Sequence, residues 1–169
     1  IVAACAVFIY RMSGLSRAEQ MHPPELEGAE ADIQVWQLSG ALFFGSTVAI
    51  ETIQDALPSQ ALVLDLSGVL YMDSTGANAL LSLVGSCRER QLRLLSTRLV
   101  GQPREMALRS GLLRALRRAG QAPDLQRAIA AVAEARERDQ ESTPPHPESA
   151  NTLAAQAQPT PGSEGGESL

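Results

Sequence analysis

The sequence predicts an α/β domain: a central mixed sheet of about four or five strands packed against about four helices. Three observations carry this. The run ALVLDL (61–66) is apolar but for one acid, as in a strand covered on both faces. Other short β-type runs alternate with stretches whose apolar residues recur every three or four positions. Breaking and capping residues (Gly45-Ser46, Pro58, Gly111, Pro123-Asp124) punctuate the alternation.

The chain opens IVAACAVFIY and continues RMSGLSR. Ten apolar residues make about 15 Å of helix, roughly half a bilayer's hydrocarbon core. Arg11 and Arg17 follow the run, whereas a signal peptide carries its positive charge before it. Val2-Ala3-Ala4-Cys5 lacks the charged start of a lipoprotein signal. Residues 1–12 therefore read as the end of a truncated transmembrane helix with its arginines on the cytoplasmic side, a buried core helix being the alternative. Residues 13–31 contain His22-Pro23-Pro24 and four glutamates and read as a linker. The domain is expected over 32–138.

IQVWQL (33–38) is a strand candidate; Ser39-Gly40 interrupts it and ALFF (41–44) resumes. The pair reads as a hairpin or a bent strand, and as the antiparallel element of the sheet. Val48, Ile50, Ile53 and Leu57 form a helical stripe with Ser46 as its N-cap. Gly45-Ser46-Thr47 lacks the long glycine loop and lysine of a phosphate cradle. After the strand at 61–66 and a loop, Ala77, Leu80, Leu81, Val84 and Cys87 line one face of a helix ending near Glu89. LRLL (92–95) is the next strand. Helices are expected at 103–109, with Gly111 as a stop, at 112–120, and after Pro123-Asp124, where Leu125, Ala128, Ile129 and Val132 align. Residues 139–169 hold five acids, no Lys or Arg, and abundant Pro, Ser, Gly, Gln and Ala, the composition of a disordered tail.

Net charge is −5; removing the five acids of the tail leaves −5 + 5 = 0. Within that neutral remainder every charge from Glu19 to Asp73 is acidic, while 88–138 is dominated by arginine. No aromatic residue interleaves with the arginines, so they read as solvated helix faces, some paired with the acidic half, and not as a nucleic-acid surface. Cys5 and Cys87 have no CxxC spacing, and His22 and His146 sit beside prolines without a Cys or His nearby. No metal and no cofactor is expected.

The chemistry concentrates in Asp73-Ser74-Thr75-Gly76, between two apolar runs. A Ser or Thr nucleophile needs a base within reach, and the predicted core has no histidine; arginine cannot serve. Asp65 and Asp73 could be paired carboxylates, yet in turns aspartate more commonly accepts from loop amides. GxSxG and HExxH are absent. Catalysis is therefore not expected. Asp73, Ser74 or Thr75 would each cap the following helix, and Gly76 would let its first turn approach another backbone closely.

LVLDLSGVLYMDSTGANALLSL resembles the signature of the STAS family: a strand, an Asp-ended loop, then D-S-[ST]-G opening a helix. FIYRMSGLSR (8–17) resembles the junction after the last membrane helix of SulP permeases, and LSGALFFGSTVAIETI (38–53) resembles their first strands and helix. The likeness implies the cytoplasmic regulatory and protein-interaction domain of a SulP-type secondary anion transporter, sulfate being the expected anion, at the cell (inner) membrane. Expected partners are the membrane domain of the same transporter, a sister protomer and a soluble regulatory protein, with no nucleic acid. It maps the phosphoacceptor of the anti-sigma-factor antagonists onto Thr75, with Ser74 beside it. Asp65, Asp73, Ser74, Thr75 and Gly76 make the loop and cap motif. Arg88, Arg90, Arg93, Arg114, Arg117 and Arg118 are candidates for partner or anionic-lipid contact. The alternative is a stand-alone antagonist switched by phosphorylation at Thr75. Departures are Gln37 and Ala41, where the permeases usually carry arginine and proline, and a weak final strand at Gly120-Gln121-Ala122.

Overall fold

The computed structural model describes residues 16–29, 31–43 and 47–141. The chain divides into two compact units, 1–135 and 136–169, and of the second only the end of the last helix is described. The expectations for 1–12 and for Ser46 as a cap lie outside the described residues, as does the tail beyond Glu141.

The first unit is an α/β domain with one four-stranded mixed sheet in the order β1-β2-β3-β4. These strands are β1 (Ser16–Met21), β2 (Ile33–Leu42), β3 (Ala61–Met72) and β4 (Arg93–Ser96). The helices are α1 (Thr47–Asp55), α2 (Ser74–Glu89), α3 (Gly101–Ser110), α4 (Leu112–Ala119) and α5 (Leu125–Glu141). The β2–β3 and β3–β4 pairs are parallel, and β1 lies antiparallel on β2 from Ser16↔Gly40 to Met21↔Val35.

Alternation along the strands sorts the core into two layers. Trp36, Leu38, Leu62, Leu64 and Leu66 pack with α1, α2, α3 and α4. Ile33, Val35, Ala61 and Val63 pack with Ala128, Ile129 and Val132 of α5 and with Leu26 and Ala29. β3 is thus covered on both faces, which accounts for its continuous apolar run. On α2, Leu83 is also buried, and Leu81 is only partly so. Beyond β4 the sheet ends in a single bridge, Ser96↔Gln121, because the small polar Gly120-Gln121-Ala122 offers no second pair.

Four expectations are corrected. The linker assigned to 13–31 is structured from Ser16: it forms β1, a short 3-10 turn at Pro24–Leu26, and buries Leu26 and Ala29. SRAEQM is a polar edge strand held by backbone pairing, so it carries little apolar alternation. Consequently β1, and not a hairpin within 33–44, supplies the antiparallel element; 33–42 is one strand with irregular register. The expected loop 67–72 continues β3. Gln37 to Ser39 on β2 faces Asp65 to Gly68 on β3, and Gly40 to Ala41 faces Val69 to Tyr71, so β3 carries one extra residue at each place. Two β-bulges make the segment irregular without ending it. Lastly, α5 runs to Glu141, a few residues into the stretch assigned to the tail.

Candidate functional site

The DSTG turn joins the end of β3 to α2. Asp73 is extended (φ −98°, ψ −178°) and its Oδ1 accepts from the Gly76 amide at 2.8 Å, so Asp73 is the N-cap. Its own amide donates to the Leu42 carbonyl (3.0 Å), and its carbonyl accepts from Ala77 (3.0 Å). Gly76 is seated on the end of β2: a Cβ there would stand 2.5 Å from the Leu42 carbonyl oxygen. The close approach that the glycine suggested is therefore real, and the capping choice left open among three residues falls to the aspartate. Ser74 and Thr75 are left exposed on the first turn of α2. Neither hydroxyl is hydrogen-bonded to a carboxylate or imidazole among the described residues, and His22 is an exposed loop residue.

Just before the turn, the second bulge leaves Leu70 without a partner on β2. Leu70 is 78% exposed and Tyr71 50%. Two large apolar side chains thus flank the exposed hydroxyls in the sequence.

Asp65 lies under the first bulge and is buried. Its Oδ1 accepts from the Ser67 amide (3.0 Å) and Thr97 Oγ1 (2.8 Å), and its Oδ2 from Gln37 Nε2 (3.0 Å). Thr97 Oγ1 in turn accepts from the Leu66 amide at 2.7 Å. Burial pushes the Asp65 carboxyl up, but the hydrogen bonds from Ser67, Thr97 and Gln37 outweigh it and hold the group below its ordinary 3.8. Asp65 and Asp73 are each engaged by their own donors. Gln37, one of the departures noted in the sequence, supplies a neutral donor to Asp65.

Two residues that sequence reasoning missed complete this region: Thr97, already described, and Gln102. Gln102 grips Met72 from both sides, Nε2 donating to its carbonyl (2.8 Å) and Oε1 accepting from its amide (2.9 Å). A side-chain amide therefore replaces a strand partner where β4 has ended. Neither has a local signal, because a Thr or Gln earns such a role only through residues about thirty positions away.

Arg88, Arg90, Arg93, Arg114, Arg117 and Arg118 are all exposed. Arg88, Arg93 and Arg118 line a groove of about 600 Å³ whose walls include Leu81, Val84 and Cys87. Arg114, Arg117 and Arg118 line a second groove of about 350 Å³, and Arg90 lies outside both. Arg109–Glu105 (3.8 Å) and Arg127–Asp124 (3.9 Å) are ion pairs that are both local and exposed, and neither reaches the acidic half of the chain. Burial pushes the Cys87 thiol up to about 11, against an opposing pull from Arg90, and so favours the thiol over the thiolate. Among the described residues no three His, Cys, Asp or Glu side chains cluster as metal ligands, and no helix is long and apolar enough to cross a membrane.

The fold and the capped DSTG turn define a class, and comparison with known proteins names it. The family model described as "Mlab, STAS domain" matches residues 27–118, more than half of the chain. The chain belongs to the STAS domain family. The putative sulfate transporter YvdB of Bacillus subtilis (strain 168) is 26% identical over 120 residues, covering 66% of this chain and 22% of that protein. The murine Solute Carrier 26 family member A9 anion transporter, in its inward-facing state, superposes with a TM-score of 0.60 at 16% identity, over 78% of this chain and 24% of that one. An anti-sigma factor antagonist from Mycobacterium paratuberculosis superposes at 0.53 with 20% identity, over 69% of this chain and 93% of that one. The chain thus spans about a fifth of its curated relative, and the STAS fold is common to transporters and antagonists.

Proposed function

We propose that this chain is the regulatory, partner-binding domain of a SulP-type secondary transporter of sulfate or a similar anion. It lies on the cytoplasmic side of the cell (inner) membrane, and the transport path belongs to membrane helices outside the domain. The observation that carries this is the similarity to a putative sulfate transporter along 120 residues. The domain works by binding and not by catalysis. Its binding face is the end of the sheet where Leu70, Tyr71, Ser74 and Thr75 stand exposed. The face suits the membrane domain of the same transporter, a sister protomer or a soluble regulatory protein. Phosphate on Thr75 would add nearly two negative charges at a helix N-terminus, which the macrodipole tolerates. The modification would therefore leave α2 folded and change what the face can touch. The test is sulfate uptake by cells expressing the complete reading frame, with and without residues 16–141. Reduced uptake or assembly on deletion is expected; unchanged uptake, or a frame encoding no membrane helices, would sink the proposal.

The second reading is a stand-alone antagonist switched at Thr75, favoured by the coverage of nearly the whole Mycobacterium antagonist. Capture of a kinase-like anti-sigma factor by the unmodified chain, lost in Thr75→Asp, would select it.

A further inference from the structure

A cavity of about 330 Å³ opens at the C-terminal end of β4, lined by Arg98, Leu99, Arg104, Leu113, Arg117 and Gln121. Arg98 lies in the connection after β4, Arg104 on α3, Arg117 on α4, and Gln121 at the bridge to Ser96. Three local arrangements here are unfavourable by themselves. Three arginines share one small cavity that no carboxylate lines, and none of them enters the ion pairs of the described residues. Arg104 sits in the first turn of α3, which has no acidic residue, so a cation faces the positive end of the helix dipole. The Nε2 of Gln121 is buried and has no hydrogen-bond partner among the described residues. Buried donors are seldom left unmade, because each costs about 1–3 kcal/mol.

One small anion would offset all three. We infer that this cavity binds a free tetrahedral oxyanion of the sulfate or phosphate class. Guanidinium forks present paired N–H groups that match the oxygens of such an ion, and the Gln121 amide supplies a further donor. The volume lies at the small end of the roughly 300–1,000 Å³ typical of ligand sites, and no aromatic ring lines it to stack a base. The position also fits, because ligands of α/β sheets bind beyond the carboxyl ends of parallel strands. This assignment does not depend on the chain belonging to a transporter.

The test uses the whole chain, ¹⁵N-labelled, titrated with sodium sulfate and sodium phosphate up to about 20 mM while chloride holds ionic strength constant. The side-chain amide signal of Gln121, identified by its loss in Gln121→Glu, should move saturably, with a parallel rise in Tm. Arg104→Gln and Arg117→Gln should each weaken binding by about tenfold, the scale of one charge-assisted hydrogen bond. Arg88→Gln, outside this cavity, should bind as the parent does. Gln121→Glu places a carboxylate among the arginines, and should raise Tm in anion-free buffer while abolishing the response. If that variant fails to fold, the two exposed arginine variants still decide the matter. Absence of a saturable shift, a linear response equal in all variants, or a response only to phosphatidylglycerol vesicles would overturn the inference; a linear response is the general effect of excluded salts.

Discussion

Gly76 has no room for a side chain, since any Cβ would meet the Leu42 carbonyl oxygen at 2.5 Å. Gly76→Ala should therefore cost about 2–3 kcal/mol, the range of an overpacked site, read as a lowered urea midpoint at unchanged slope. Asp73→Ala should cost about 1 kcal/mol through loss of the cap. Thr75→Ala, at an exposed position, should change stability by less than about 0.5 kcal/mol. That contrast separates the cap from the hydroxyl beside it: a large loss in Thr75→Ala would mean that Thr75 holds the turn. Asp65 adds a pH dependence. Its carboxyl is held below 3.8 in the folded chain, so it contributes stability above that value and loses it as pH falls through the folded value. Acid unfolding below about pH 4 should be visibly shallower in Asp65→Asn, followed by circular dichroism. Asp73 was legible as a cap because the amide it accepts from, Gly76, lies three positions on, whereas the backbone that Gly76 approaches, Leu42, belongs to another strand. Thr97 and Gln102 were not legible, since their partners are supplied by other elements, and neither was the unpartnered amide of Gln121.

Among the elements, β3 and α2 hold the candidate site, and each is fastened by something outside itself. Gln102 of α3 closes both backbone groups of Met72 at the end of β3. Gln102→Ala should cost about 1–3 kcal/mol by leaving those groups partly unmade, and hydrogen exchange at the Met72 amide should quicken more than at Leu64. Equal exchange at the two amides would deny the clamp. On α2, Cys87 is buried and its thiol is raised from 9.0 to about 11. At pH 8 only about one thiol in a thousand is thiolate, so alkylation at Cys87, mapped by peptide mass, should be far slower than in urea. A raised folded value means that this group's contribution is complete below pH 9 and is lost as pH climbs from 9 toward 11. Helix positions were readable from periodicity, for α2 nearly to the residue. β3 was read six residues short, because two bulges interrupt the pattern and place Ser67, Leu70 and Tyr71 outside the core.

For the whole molecule the consequential strand is β1. A fragment begun at residue 32, the boundary that composition suggested, would lose the partner of β2 and the buried Leu26 and Ala29. It should have a lower Tm and self-associate through the exposed edge of β2, whereas a fragment begun at residue 16 should remain monodisperse by light scattering. Equal behaviour of the two would make β1 dispensable. Read along the chain alone, the residues gave the α/β class, the positions of the helices, and the DSTG turn as a helix cap with an exposed hydroxyl at Thr75. Each of these depends on residues within a few positions of one another. Only the tertiary structure decided that a polar segment would serve as the antiparallel edge, that Asp65 would be buried under Thr97 and Gln37, and that three arginines and an unpartnered amide would share one cavity. Strand pairing, buried networks and cavities join residues tens of positions apart, and no periodicity or composition along the chain records which distant neighbour a side chain will meet.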